Sequence, residues 1–351
     1  MPNIKNLTSL NMSNIPPVKE YVSLKPYTSF GIEATARYFA AFSGEDELKQ
    51  LLSNPVCSEV PALIMGGGSN ILFTQDYQGL VLHNNIRGLE ILEENEQSVV
   101  IRVGAGENWD ELVGYCVRQG WAGLENLSYI PGQVGASPIQ NIGAYGAEVK
   151  DTIKMVHTLN RHSLMPLTYS NADCEFDYRQ SIFKKQLRGK RVITHVVFLL
   201  SKKPRYNLNY GTLNVTVRQK GAVNLTNIRQ AVIDIRRQKL PEPDETGSAG
   251  SFFKNPVVDQ NKYRKLVSNH PDLPSYKLNK KHYKIPAGWL IDQLGWKGYR
   301  EGDAGVHPNQ ALVLVNYGNA TGRQIYELAT RIRKAVRDHF GIDLDYEVNI
   351  L

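Results

Sequence analysis

LIMGGGSNILF, residues 63–73, runs an apolar stretch into three glycines, then a serine, an asparagine and a second apolar stretch. Both flanks have strand length and strand composition. Gly66, Gly67 and Gly68 let the backbone take positive φ and turn successive N–H groups toward one anion. The run is not a P-loop, because no Gly-Lys-Ser/Thr follows, and it does not open a helix as a G-x-G-x-x-G turn does. Taken alone, the glycines suit a tight β-turn as well as an anion cradle.

A second stretch shifts that balance. GWAGLENLSYIPGQVGASPIQNIGAYG, residues 120–146, carries six glycines and no clear period. Loops this long inside compact domains are usually functional. Its Ser137, Gln140 and Asn141 are short polar groups suited to a phosphate or an amide-rich ring. Two such loops flanked by strands point to a large, doubly negative cofactor between them. A dinucleotide with a pyrophosphate centre fits.

Short apolar runs (ALIM, ILF, GLVLHN, VVIRV, VITHVVFLL) dominate residues 60–200. Regular β-α alternation is absent, which argues against a doubly wound sheet. EDELKQLL reads as a helix with Ser43 and Asp46 in capping-box spacing. Asn108 caps a second helix whose Leu112, Val113, Cys116 and Val117 face inward. KLPEPDETGSAG, residues 239–250, reads as a boundary. Beyond it, AGWLIDQLG suggests a helix and QALVLVNYG a strand. TRIRKAVRDHF lies on an amphipathic helix that buries Ile325, Leu328, Ile332 and Val336 and that Gly341 ends. IDLDYEVNIL, residues 342–351, alternates as a half-buried strand.

The 351 residues carry 41 Lys and Arg against 34 Asp and Glu, a formal charge of +7 that favours anionic partners. The basic helix reads as a solvated face, not a nucleic-acid contact. Three scattered cysteines and eight unclustered histidines indicate neither a disulfide framework nor a metal site. No membrane insertion is expected, and a reducing cytoplasm is the expected home. Residues 1–20, rich in Asn, Ser and Pro, read as a mobile arm.

SLKPYTSFGI, GGGSNILF, GAGENWDELV, the 123–146 loop, FDYRQSIFK, GSAGSFFKNP, AGWLIDQ and YEV stand in this order along the chain. As an ordered set they resemble the UDP-N-acetylenolpyruvoylglucosamine reductases of peptidoglycan synthesis, from about residue 23 onward. The resemblance implies an α+β chain: a two-part FAD-binding domain of the vanillyl-alcohol-oxidase/PCMH type over 21–235, completed by 342–351, and a smaller substrate-binding domain over 236–341. It implies non-covalent FAD, since the glycine loop lacks the histidine that tethers flavin in related oxidases. It sets FAD against Gly66, Gly67, Gly68, Ser69, Asn70, Ser137, Gln140, Asn141, Gly143 and Ala144. NADPH is the implied hydride donor and the enolpyruvyl ether of a UDP-sugar the acceptor, in a monomer without nucleic acid. Arg179, Ser251 and Glu347 match the catalytic positions, Ser251 as proton donor. Tyr178, Tyr210, Lys239, Asn255, Tyr276 and Gln310 match substrate contacts, with Tyr210 on a lid loop. Gln133 and Ala136 stand where some relatives carry Cys and Ser. Without the resemblance, Ser251 reads as a turn serine and Arg179 as a loop arginine.

Overall fold

Two sheets of different wiring carry the N-terminal two thirds of the chain. A computed structural model describes residues 16–242 and 245–351. The first sheet runs Lys19–Ser23, Thr35–Phe42, Tyr77–Asn84, Ala62–Met65. Its outer pair is antiparallel and its other two pairs are parallel. Parallel pairing needs a crossover, and the helix Glu45–Leu52 lies within it, burying Leu48 and Leu51 against Phe42, Leu80 and Leu82. That helix is not closed by the expected Ser43–Asp46 box. Gly44 is its N-cap, and the Ser43 amide donates to Glu47 Oε2 at 2.7 Å. The arm is also shorter than expected. Lys19 and Glu20 already pair with Phe39 and Tyr38, because an antiparallel partner satisfies their backbone; residues 1–15 of that arm lie outside the described residues.

The second sheet is wholly antiparallel, in the order Pro166–Ser170, Ile153–Asn160, Arg191–Ser201, Ser98–Gly104, Leu89–Glu94. Beneath it lies the helix Trp109–Arg118, capped by Asn108 Oδ1 accepting from the Glu111 amide at 3.0 Å. Leu112, Val113, Cys116 and Val117 are buried, as their spacing requires. The helix Leu225–Lys239 packs alongside.

A third sheet, Gly247–Ser251, Val313–Asn316, Ala304–Val306, Arg300–Glu301, packs on the helix Gly322–Phe340. Ile325, Leu328, Ile332 and Val336 of that helix are fully buried, and Gly341 ends it at φ +60°. The expected strand in 310–318 shortens to Val313–Asn316. Part of the 239–250 boundary, residues 243 and 244, lies outside the described residues.

The C-terminal segment departs most from expectation. Ile342, Leu344 and Val348 are buried, but the segment makes no single ladder. It changes partners along its length. The Lys254 amide donates to Asp345 O at 2.9 Å, the Glu347 amide to Phe252 O at 2.9 Å, and the Asn349 amide to Asn70 O at 3.0 Å. Only Asn349–Ile350 forms a strand, parallel to Ile71–Leu72. Ten residues thus lace the third sheet to the first glycine loop.

Candidate active site

The glycine run leaves the strand Ala62–Met65 and meets the second glycine-rich loop directly. Gly68 sits at φ +57°, and a Cβ there would stand 1.9 Å from Tyr27 O. Conformation and close approach both demand glycine. A Cβ on Gly66 would meet Gln133 Oε1 at 2.6 Å, and Ser69 Oγ donates to Pro131 O at 3.0 Å. Between the loops opens a cavity of about 520 Å³, walled by Tyr27, Thr28, Gly67, Ser69, Gly132 and Gln133. Thr28 Oγ1 and Gln133 Oε1 are buried in this wall with no hydrogen-bond partner. Buried polar groups are rarely left unpaired. The orphaned oxygens, the glycine lining and the volume fit a dinucleotide cofactor.

The loop residues expected at FAD divide in two. Gln140 and Asn70 face each other, Asn70 Nδ2 donating to Gln140 Oε1 at 3.1 Å and to Glu347 O at 3.2 Å. Ser137 and Asn141 turn their side chains inward instead. Ser137 Oγ donates to Val134 O at 2.7 Å, and Asn141 Nδ2 donates to Glu148 and Asp177 O. Both side chains hold the loop's own shape, because a glycine-rich loop has few other groups to satisfy its interior. Gly143 and Ala144 pair with Glu148 and Ala147, and Gly143 O also accepts from Arg179. Gln133, noted in the sequence only as standing where some relatives carry Cys, lines the cavity beside Gly132.

Of the three expected catalytic residues, Arg179 and Glu347 meet directly, and Ser251 precedes the Phe252 carbonyl that accepts the Glu347 amide. Arg179 sits at φ +54°, an unusual conformation for a non-glycine residue and one that clusters at functional sites. Its Nη2 donates to Gly143 O at 2.7 Å, and its Nε lies 2.9 Å from Glu347 Oε1. The Nε proton is not aimed at that oxygen, so the contact is an ion pair and not a hydrogen bond. Their side chains are only 19% and 13% exposed, so the charges act with little screening. Glu347 is bonded through its amide to Phe252 O, one residue past the half-buried Ser251. Phe252 and Phe253 point into the hydrophobic core, against Phe30 and Tyr346.

Aromatic and basic groups gather on the same side. Lys284 Nζ stands 4.6 Å from the Tyr178 ring centre and 5.7 Å from that of Tyr276. Tyr210 stands near Tyr276 and meets Tyr145 edge-on at 5.8 Å. Burial raises the Tyr178 and Tyr210 pKa values and lowers that of Lys284, the last helped by Arg179. Asn255 stands near Tyr178 and accepts the Ala287 amide at 2.9 Å. Lys239 is exposed at the end of its helix, and Asn309 Nδ2 donating to Gln238 O ties the turn bearing Gln310 to that helix end. No hydrogen bond joins Lys239 or Gln310 to the tyrosine cluster among the described residues. Lys284 was missed because its lysine-rich segment offered no distinguishing pattern.

Residues 242–351 match the family model for the UDP-N-acetylenolpyruvoylglucosamine reductase C-terminal domain, and residues 36–162 match an FAD binding domain. The UDP-N-acetylenolpyruvoylglucosamine reductase of Bacteroides fragilis is 45% identical over 95% of this chain and 100% of its own length. That of Chromobacterium violaceum is 46% identical over 94% of this chain and 98% of its own. The chain belongs to the UDP-N-acetylenolpyruvoylglucosamine reductase family. The crystal structure of the Thermus caldophilus member of this family superposes with a TM-score of 0.67 at 25% identity, covering 95% of this chain and 99% of that one. The α+β class and FAD as cofactor follow from membership. Among the described residues no helix is long and apolar enough to cross a membrane.

Proposed function

We propose that the chain reduces UDP-N-acetylglucosamine enolpyruvate to UDP-N-acetylmuramate, with NADPH as the ultimate reductant. The observation that carries this reading is the Arg179–Glu347 pair, one backbone hydrogen bond away from the residue after Ser251. Bound FAD supplies the hydride chemistry. Every other task falls to side chains of the chain.

Hydride addition to the methylene carbon leaves negative charge on the adjacent carbon and its carboxylate. Arg179 stabilises that charge from a fixed position, its guanidinium anchored on Gly143 O before substrate arrives. Glu347 holds the guanidinium and is itself placed to hydrogen-bond a protonated carboxylate oxygen. Ser251 protonates the carbon: a hydroxyl is a weak acid, but an enolate carbon is a strong enough base to take its proton. Lys284, between Tyr178 and Tyr276, supplies positive charge for the diphosphate, with Asn255, Lys239 and Gln310 on the sugar-nucleotide path. Tyr210 acts as a lid over the substrate; its exposed ring and its edge contact with Tyr145 support that role.

The reading includes a monomer in the cytoplasm, where nucleotide sugars and NADPH are held, with the FAD domain spanning 21–235 plus 342–351. Rapid mixing tests the function. NADPH should bleach the flavin, and the enolpyruvyl UDP-sugar should restore its colour. A flavin that NADPH bleaches but the UDP-sugar leaves reduced would refute it.

A further inference from the structure

Lys184, the last residue of FDYRQSIFK, has no role in the reaction described above, yet it ends inside the site. Its Nζ donates to Gln140 Oε1 at 3.2 Å, on the same oxygen that accepts Asn70 Nδ2. Two donors on one amide atom fix that atom as the oxygen, since an NH2 group could accept neither. The other end of the amide, Gln140 Nε2, is therefore a donor, and among the described residues it makes no hydrogen bond.

We infer that Lys184 is a positioning residue: with Asn70 it locks the Gln140 amide so that Nε2 is presented to an acceptor oxygen of the bound ligand. This rests on the reading above for what the ligand is. The acceptor is a carbonyl of the flavin ring or the carboxylate of the enolpyruvyl group, and the same NH2 suits either.

The charges around Lys184 give the device a pH signature. Lys254, Arg179 and Arg188 face it with like charge and Glu347 with opposite charge. Burial first, then Lys254, lowers its pKa to about 8. The ammonium is thus present below pH 8 and lost above it, and a neutral amine holds Gln140 less firmly than a charged one. The population with a correctly held amide falls as pH rises through 8.

The test uses the flavin-loaded full chain with Lys184→Arg, Lys184→Met and Gln140→Leu. UDP-sugar affinity is read from the perturbation of the flavin absorption spectrum between pH 6.5 and 9.5, beside the spectrum and FAD affinity without substrate. Wild type should bind more weakly above pH 8. K184R, whose guanidinium stays charged, should bind within a few-fold of wild type at pH 7 and lose the alkaline decline. K184M and Q140L should weaken binding by roughly tenfold to a hundredfold at pH 7, the loss expected for a charge-assisted contact. If the free-enzyme spectrum and FAD affinity shift too, the acceptor is on the flavin; if only UDP-sugar affinity falls, it is the substrate carboxylate. K184M that binds FAD and UDP-sugar like wild type, or K184R that keeps the alkaline decline, overturns the inference. Should K184M fail to fold, Q140L and K184R decide alone. Wild type that takes up no FAD, or whose reduced flavin the UDP-sugar leaves bleached, would instead sink the functional reading.

Discussion

Replacing Ser251 by alanine removes one hydroxyl and leaves every surrounding constraint in place. The strand keeps its bridge to Val313, the Phe252 amide its bond to Leu312 O at 2.8 Å, and the Glu347 amide its bond to Phe252 O at 2.9 Å. Phe252 and Phe253 stay packed in the core, at 0% and 1% exposure. Stability should therefore move by no more than about 0.5 kcal/mol. The Arg179–Glu347 pair is untouched, so charge stabilisation survives and only the proton step is lost. That loss should lower turnover about 10²- to 10⁴-fold, the usual worth of a positioned acid. Stopped-flow absorbance separates the two halves of the cycle. In S251A, bleaching by NADPH should run at the wild-type rate, while recovery on adding the enolpyruvyl UDP-sugar should carry the whole defect. Recovery within about threefold of wild type would refute the proton-donor role, and bleaching slowed as much as recovery would show that the serine acts on flavin or NADPH instead.

Arg179→Lys keeps the charge and the left-handed backbone strain but cannot reach both Gly143 O and Glu347; turnover should fall by about 10²–10³, with FAD content unchanged. Equal turnover in steady-state assays would remove the guanidinium's special role. Gly68→Ala drives a methyl to 1.9 Å from Tyr27 O at φ +57°, so the cavity wall must shift. It should cost about 2–4 kcal/mol in denaturant unfolding and leave the purified protein largely colourless. Lys284→Met should raise KM for the UDP-sugar about tenfold with kcat held, and flatten the dependence of KM on salt. A salt dependence like that of wild type would show that the lysine does not meet the diphosphate.

Much of the local structure was legible because local physics sets it. Asn108 three residues before Glu111 specifies a cap wherever the helix packs, and the spacing of Ile325, Leu328, Ile332 and Val336 specifies a buried stripe. Legibility failed where two local solutions compete. Gly44 displaced Ser43 as a cap, since glycine adopts the extended N-cap conformation and leaves Glu47 free to take the Ser43 amide. The alternating 342–351 segment promised one strand, but its backbone hydrogen-bond partners belong to two separate stretches of chain, 252–254 and 70–74. Ser137 and Asn141 have the chemistry of ligand contacts, and nothing in their own neighbourhood of sequence reveals that they are spent inside the loop.

By itself the sequence determined that two glycine loops border strands, and the order of its motifs identified the family and the three residues to watch. Only the tertiary structure decided that Glu347 meets Arg179, that Lys184 and Asn70 share one oxygen of Gln140, and that Lys284 stands between two tyrosines. The physical reason is range. Caps, turns and buried stripes are settled within a few residues, whereas a site built from positions 70, 140, 179, 251, 284 and 347 exists only once distant backbone pairings close the chain upon itself.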